Sequence, residues 1–267
     1  MRDHTWGTVA IRAIGAVSRL RLTRPAERNA ISKQMIEELR TALGVLEADV
    51  EVRVVVLEGE GKSFCAGADI AEMRASGAAT FEQNKADAET LAALFQALDS
   101  LPKPVIARIH GHCLGGGVGL AACCDVAVAA DDTAFAFSET RLGIVPAVIS
   151  PYALRKIGPS HARRYFLSGE RFDAHEARRI GLIAERCGAD ELDAVVVKIA
   201  DEMLAAGPEA QARIKRMIRE SANLTWEAYR ASTPQQIAEA RMGDEGQAGL
   251  ASFRDRVSPP WVPRPEA

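Results

Sequence analysis

The chain has 267 residues, of which 48% are hydrophobic and 26% are charged, and its formal net charge is -3. The length suffices for one large core, and the mild acidity argues against nucleic acid or an anionic membrane as the main partner, because proteins that bind those surfaces carry an excess of basic residues. The longest apolar runs, such as 54–57, fall far short of the roughly 20 residues of a membrane span. The N-terminus shows no apolar segment of a secretion signal, so we expect a cytoplasmic protein.

The sequence predicts alternating strands and helices through the first half of the chain. Alternation and β-branched residues predict strands at 8–14, 17–22, 52–59, 105–110 and 126–129, with a hairpin turn at Gly15 between the first two. Helical spacing predicts helices at 32–49, which Ser32 caps, and at 80–98. This order favours an α/β fold with crossover connections over an all-β sandwich.

From about residue 150 onward, the pattern predicts helices. They cover 151–157, 161–167, 174–180, 190–206, 208–221 and 226–242, with turns at glycines 158, 169, 181 and 207. A helical C-terminal region therefore follows the α/β body.

The five cysteines are Cys65, Cys113, Cys123, Cys124 and Cys187. An odd number without a CxxC pair fits neither a disulfide framework nor a zinc site, and we expect reduced, mostly buried thiols. Because Cys65 and Cys113 flank the glycine segments described next, a catalytic thiol stays open as an alternative.

Two glycine-containing segments follow predicted strands. In 63–70, Gly67 permits a sharp turn after which the amide of Ala68 can point into a cleft. In 109–125, the glycines 115–117 precede a helix of small residues, and the free amides at its N-terminus suit a phosphate or an oxyanion. Neither a phosphate-loop nor a dinucleotide fingerprint is complete, and close helix packing explains the triple glycine equally well.

A third segment, 135–147, places Glu139 in a largely apolar stretch. Such surroundings raise the pKa of a carboxyl group and suit it to proton transfer near neutral pH. The alternatives are an ion pair with Arg141 or a solvated carboxylate at the surface, and the spacing alone favours those.

Five motifs in order resemble the crotonase superfamily, which includes the enoyl-CoA hydratases and isomerases. They lie at 22–31, 64–70, 114–125, 139–146 and 177–182. The resemblance implies an α/β spiral of ββα units with a C-terminal helical trimerisation region, assembled as a trimer or a dimer of trimers. Residues 1–200 would form the core with the coenzyme A site, and 201–267 the oligomerisation region.

The resemblance also implies an oxyanion hole for a thioester carbonyl, formed by the amides of Ala68 and Gly116, and a substrate that carries coenzyme A itself, without a further cofactor or a metal. Positions that match the substrate and coenzyme A contacts of similar proteins are Ala26, Arg28, Ala66, Gly67, Asp69, Ile70, Leu114, Gly115, Gly119 and Phe253.

Hydratases of the best-known type in this family use two glutamates. Glu139 matches the second, but Gly119 stands where the first would be. Residues 137–166 resemble bacterial hydratases of 3-methylglutaconyl-CoA and isohexenylglutaconyl-CoA, which act in leucine and terpene degradation on branched acyl groups with a distal carboxylate. For that carboxylate, the candidate receptors are Arg141, Arg155 and Arg74.

Three functions therefore stay open. The first is a hydratase in which Glu139 alone serves as base and acid. The second is an isomerase that moves a proton between carbons with the same residue, and the third is a non-catalytic acyl-CoA binder.

Overall fold

The computed structural model describes residues 2–76 and 79–263, which contain ten strands and ten α-helices. The strands are β1 (His4–Thr5), β2 (Val9–Ile14), β3 (Val17–Leu22), β4 (Val54–Gly59), β5 (Val105–Ile109), β6 (His112–Leu114), β7 (Val126–Ala130), β8 (Ala134–Ala136), β9 (Phe172–Asp173) and β10 (Glu185–Cys187). The helices are α1 (Lys33–Ala48), α2 (Ile70–Ser76), α3 (Phe81–Ser100), α4 (Gly116–Cys123), α5 (Ser150–Ser168), α6 (Ala174–Arg179), α7 (Leu192–Ala205), α8 (Pro208–Asn223), α9 (Trp226–Met242) and α10 (Asp244–Asp255).

Seven strands form a large sheet in the order β1-β2-β3-β4-β5-β7-β10. The first three are antiparallel, and the strands from β3 to β10 are parallel. Gly15 has a φ of 57° and turns β2 into β3, with Ile14 opposite Val17. The predicted hairpin and its turn are confirmed.

A small second sheet has the order β6-β8-β9, with β6 and β8 parallel. β5 and β7 lie in the large sheet, whereas β6 and β8, which follow them in the chain, lie in the small one. Successive strand pairs thus contribute one strand to each sheet before the chain enters a helix. This arrangement confirms the predicted α/β spiral.

The alternation of side chains along β4 separates two apolar layers. Val54 and Val56 pack with residues of α7, including Val196, on one face of the large sheet. Val55 and Leu57 face the opposite side and belong to the main core, which also contains buried residues of α1, α3, α4 and α5. The layer around Val54 and Val56 therefore holds α7 on the face of the large sheet that lies opposite the main core.

The helix boundaries follow the sequence pattern closely. The Ser32 hydroxyl accepts a hydrogen bond from the Met35 amide at 3.2 Å and caps α1, as predicted. The helices predicted at 151–157 and 161–167 form α5, which is kinked at Gly158, where φ is 67°.

The expectation that the chain is helical from residue 150 onward is wrong at two places. β9 pairs with β8, and β10 extends the large sheet beside β7. Both are only two or three residues long, so they lack the alternation on which a strand prediction rests.

The last helices dock on the body through a buried lysine. Lys215 on α8 is 8% exposed, and its Nζ donates to Asp125 Oδ2 at 2.7 Å and to the Lys103 carbonyl at 2.9 Å. Residue 200, the predicted domain limit, lies inside α7, and residues 264–267 of the predicted second region lie outside the described residues. In residues 2–76 and 79–263, no helix combines the length and apolar character that a membrane span requires.

Candidate active site

The two glycine-containing segments lie side by side. The Cys65 amide donates to the His112 carbonyl at 3.0 Å, and the Leu114 amide donates to the Cys65 carbonyl at 3.0 Å. Gly67, with a φ of 95°, approaches Leu114 so closely that a Cβ atom there would lie 3.0 Å from the Leu114 carbonyl oxygen. The turn before Ala68 therefore lies directly against the chain that leads into α4.

The amides of Ala68 and Gly116 donate no hydrogen bond to any group in the described part of the chain. The amides around Ala68 are engaged: Ile31 donates to the Gly67 carbonyl at 2.7 Å, and Asp69 donates to the Ile31 carbonyl at 3.0 Å. Gly116 is the first residue of α4, where an amide has no acceptor within the helix. Both unpaired donors are thus fixed by paired neighbours.

Glu139 reaches the same place from the small sheet. β6 leads to α4, and β8 leads to a 3-10 helix over Ser138–Leu142 that carries Glu139. Because β6 and β8 are parallel, both connections leave the same edge of the sheet. The Glu139 Oε1 atom lies 3.2 Å from the position of a Cβ atom built on Gly115.

The carboxylate of Glu139 is shielded without a counter-charge. Its Oε2 atom is buried and has no hydrogen-bond partner among the described residues. Burial raises the pKa of Glu139, because it disfavours the charged form. The alternative ion pair with Arg141 is not formed, since Arg141 packs against Gly169 at the surface.

One cavity of about 360 Å³ joins these groups. Ala68, Gly116 and Glu139 line it together, so the structure brings the three predicted catalytic positions to one place. Its apolar walls come from Ile31, Ile36, Met73, Ala88, Leu91, Ile144, Val145, Pro146, Ala147, Val148 and Ile149. Its remaining polar lining is Lys33, Glu37, Asp69, Glu72, Asn84, Asp87 and Thr90.

Asp69 also borders the cavity, but its carboxylate is engaged with the protein. Oδ2 accepts from Arg24 Nη2 at 2.9 Å, and Oδ1 accepts from the Ala71 amide at 2.9 Å at the start of α2. The hydrogen bond from Arg24 is the main reason that the pKa of Asp69 is lowered. The Arg24–Asp69 pair thereby connects the motif at 22–31 to the residue that follows Ala68.

Most of the other predicted contact positions lie outside the cavity. Ala26, Arg28 and Ile70 are exposed, and the half-buried Ala66 donates its amide to the Arg28 carbonyl at 2.9 Å. Gly67, Leu114 and Gly115 form the backbone that carries the two free amides. Phe253 is 86% exposed on α10 and does not line the cavity.

Gly119 is buried inside α4 and does not line the cavity either. A Cβ atom built on it would overlap Ile149 Cγ2 and lie 3.0 Å from both Ile149 Cβ and Phe95 Cε1. The space that a side chain at position 119 would need is therefore occupied by Ile149.

The three arginines proposed as receptors for a distal carboxylate do not line the cavity. Arg155 pairs with Asp99 at 2.7 Å, and neither Arg74 nor Arg141 borders the cavity. Lys33, which the sequence reasoning missed, is the one basic side chain among the described lining residues. Its position directly after the capping Ser32, at the start of α1, was the available signal.

The cysteines and histidines near the site belong to the packing. Cys65 and Cys113 are fully buried free thiols, and burial raises the pKa of Cys65 to about 12. A thiol that holds its proton so firmly is a poor nucleophile, which disfavours the catalytic-thiol alternative. His110 contacts the Gly61 carbonyl at 2.9 Å, and His112 contacts Ser63 Oγ at 3.3 Å.

A model of the family described as enoyl-CoA hydratase/isomerase matches residues 12–264. The chain belongs to this family, and thus to the crotonase superfamily. A crystal structure of an enoyl-CoA hydratase from Shewanella pealeana superposes with a TM-score of 0.91 at 36% identity, covering 95% of this chain and 96% of that one.

Two relatives in this family carry more specific names. The chain is 31% identical to 2,3-dehydroadipyl-CoA hydratase of Escherichia coli, over 92% of its own length and 94% of the relative. It is 32% identical to mevalonyl-coenzyme A hydratase of Aspergillus fumigatus, over 91% of its own length and 90% of the relative.

Proposed function

We propose that this protein is an enoyl-CoA hydratase in which Glu139 alone transfers the protons. The observation that carries the proposal is that one cavity brings together a buried carboxylate oxygen and two backbone amides, none of which has a hydrogen-bond partner in residues 2–76 and 79–263. The amides supply positive charge and the carboxylate supplies a base, which are the two requirements for adding water to a conjugated thioester. The hydratase names of its relatives agree with this chemistry.

In the proposed reaction, the thioester carbonyl accepts hydrogen bonds from the amides of Ala68 and Gly116. Glu139 removes a proton from water as the water oxygen bonds to C3, and the electrons of the C2–C3 double bond move to form an enolate whose negative charge the two amides stabilise. The protonated Glu139 then donates its proton to C2. The thioester carbonyl is restored and Glu139 returns to its ionised form.

Coenzyme A would extend from the cavity over the exposed residues Ala26, Arg28 and Ile70 and the half-buried Ala66. Arg28 is a suitable phosphate contact, because its guanidinium is exposed and positively charged. Asp69 would shape this loop through Arg24 and would not bind phosphate, since two negative charges repel.

We further propose that the acyl group is branched and carries a distal carboxylate, which Lys33 receives. Lys33 Nζ lies 2.7 Å from Asp87 Oδ2 across the cavity, from α1 to α3. This hydrogen bond is the main cause of the raised pKa of Lys33, so the ammonium group stays charged. A substrate carboxylate would share or replace the Asp87 carboxylate on this ammonium, and the 2,3-dehydroadipyl-CoA hydratase name supports an acidic acyl group.

Self-association into a trimer or a dimer of trimers is also a proposal. Large apolar side chains are exposed along the last three helices, namely Ile214, Ile218, Trp226, Ile237, Met242, Leu250 and Phe253. Such clusters mark surfaces that another chain covers. Light scattering should then give a mass three or six times the 28.7 kDa of one chain, and a monomer would contradict the proposal.

The function is tested with three thioesters, followed by loss of the absorbance of the conjugated thioester. Crotonyl-CoA and 3-methylcrotonyl-CoA differ by one methyl group, and 3-methylglutaconyl-CoA adds a carboxylate to the second. We expect the carboxylated substrate to be turned over fastest, with Glu139→Gln as the inactive background. Binding without hydration of any of the three would overturn the hydratase and leave the isomerase or the binder.

Lys33→Met tests the carboxylate receptor, with Lys33→Arg as the matched control that keeps the charge. Lys33→Met should raise KM for 3-methylglutaconyl-CoA at least tenfold and leave KM for 3-methylcrotonyl-CoA unchanged. Equal effects on both substrates would show that Lys33 does not recognise the carboxylate.

A further inference from the structure

Ile149 stands at the junction of the cavity with α4. It is 3% exposed, precedes α5, and its carbonyl accepts from the Ala153 amide at 3.1 Å, so the first turn of α5 fixes its backbone. It lines the cavity that contains Glu139. Behind it, the Phe95 ring is buried and packs near Tyr152, with 6.0 Å between ring centroids.

Ile149 and any side chain at position 119 exclude each other sterically. A Cβ atom at position 119 would overlap Ile149 Cγ2, and the rigid Phe95 ring closes the other side at 3.0 Å. Rotation about χ1 of Ile149 would move Cγ2, but it leaves Cβ at 3.0 Å from the new atom, and a β-branched side chain has few χ1 rotamers to adopt. A side chain at position 119 therefore requires a smaller residue at 149.

We propose that Ile149 is a specificity-determining residue that gives the reacting part of the acyl group an apolar wall. A larger side chain at position 119 cannot enter the site while Ile149 is present, and the branched Ile149 side chain offers a contact surface for an alkyl branch on the acyl group. A methyl group buried against such a surface gains affinity that an unbranched chain does not gain. This inference rests on the proposed function for its substrate class, whereas the steric exclusion of a side chain at position 119 by Ile149 stands without it.

Binding of two saturated, unreactive thioesters tests the inference by calorimetry. 3-Methylbutanoyl-CoA and butanoyl-CoA differ by the single branch. We expect the wild-type protein to bind the branched thioester about tenfold more tightly, which is the scale of one well-packed methyl group. In Ile149→Ala this ratio should fall towards one, whereas in the control Val145→Ala, on the exposed rim of the same cavity, it should remain.

The steric exclusion has its own test in urea unfolding. Gly119→Ala should lower the unfolding midpoint, because the new Cβ atom has no room, whereas a Gly→Ala change in a helix with free space normally raises it. In the double variant Gly119→Ala/Ile149→Ala, the loss should be smaller than the sum of the two single losses. Additive losses, or an unchanged branched-to-linear ratio in a folded Ile149→Ala protein, would overturn the proposal.

The two tests separate the failure of this inference from failure of the proposed function. If no enoyl thioester is hydrated, the function fails, but the binding ratio and the unfolding midpoints still report on Ile149. If hydration occurs and Ile149→Ala keeps the branched-to-linear ratio, the function stands and this inference fails.

Discussion

Glu139 and Glu58 are both shielded carboxylates, but their surroundings differ. Glu58 on β4 is 4% exposed and accepts hydrogen bonds from the guanidinium groups of Arg19, at 2.8 Å, and Arg21. Glu139 has an unpartnered oxygen, and no basic side chain other than Lys33 lines its cavity within the described residues. A paired buried carboxylate secures the fold, whereas an unpaired one is available to exchange protons with a substrate.

The paired environment continues from the sheet to α7. Asp193 accepts from Arg108 on β5 at 2.9 Å and from Arg19 on β3 at 3.1 Å. The hydrogen bond from Arg108 is the main reason that the pKa of Asp193 is lowered to about 2, with a further contribution from Arg19. We expect this network to fasten α7 to the sheet and to take no part in the reaction.

The comparison predicts its largest effect at Glu139. Glu139→Gln keeps the size of the side chain and removes its basicity, so kcat should fall roughly 10³-fold while thioester affinity changes little. Glu72→Gln, at another carboxylate of the same cavity, is the matched control and should stay within a few fold of the wild type. Steady-state kinetics and calorimetric binding of butanoyl-CoA check both variants, and equal losses in the two would remove the distinction.

The next effect concerns the unpaired amide of Gly116. Gly116→Pro removes the N–H, and kcat should fall roughly 10²- to 10³-fold. Gly116→Ala is the matched control, because its Cβ atom meets the same neighbour, Ile31 Cδ1, at 2.9 Å but the amide remains. Circular dichroism should show both variants folded, and an active Gly116→Pro enzyme would exclude this amide from the oxyanion hole.

Replacing the paired carboxylate of Glu58 should lower stability and leave catalysis unchanged. Glu58→Gln leaves Arg19 and Arg21 without a full counter-charge and should lower the free energy of unfolding by about 3 kcal/mol. Glu60→Gln is the control, since its carboxylate is partly exposed and lies 3.9 Å from Arg21, and it should change the free energy of unfolding by less than about 0.5 kcal/mol. Urea unfolding measures both, and kcat of the folded Glu58→Gln protein should be unchanged.

The smallest effect is a gain in stability. Because the folded protein raises the pKa of Glu139, folding favours its protonated form, and this contribution is present at low pH and is lost as pH rises through the raised pKa. Glu139→Gln should therefore unfold at a slightly higher temperature than the wild type at neutral pH. The difference between the two unfolding temperatures should vanish in acid. A Glu139→Gln protein that is less stable than the wild type at neutral pH would contradict the conclusion that the Glu139 carboxylate is unpaired.

The sequence contains enough to predict the main strands and helices, because these are long and periodic. The strands that position the site, β6 and β8, have three residues each, and no periodicity can be seen in so short a stretch. The parallel pairing that places Glu139 beside Gly116 is a long-range contact that local pattern does not reveal. The resemblance to a family supplied that relation instead.

The site was predictable where backbone motifs form it and less so where side chains from distant helices meet. Ala68, Gly116 and Glu139 lie in motifs that can be recognised in the chain. Lys33 and Ile149 enter the cavity from the starts of α1 and α5, and only the packing shows it. Local spacing favoured an ion pair between Glu139 and Arg141, but Arg141 lies against Gly169 instead.

The pH dependence of kcat/KM for hydration tests most directly whether one buried carboxylate performs the proton transfers. Glu139 must be ionised to accept the proton of water, so kcat/KM should fall as pH falls through its raised pKa. We predict one acidic limb that corresponds to a single ionisation, above the value of about 4.3 for an ordinary glutamate, and a plateau through neutral pH. An acidic limb at or below the ordinary value, or a bell-shaped profile with a second carboxyl ionisation, would contradict the single-glutamate mechanism.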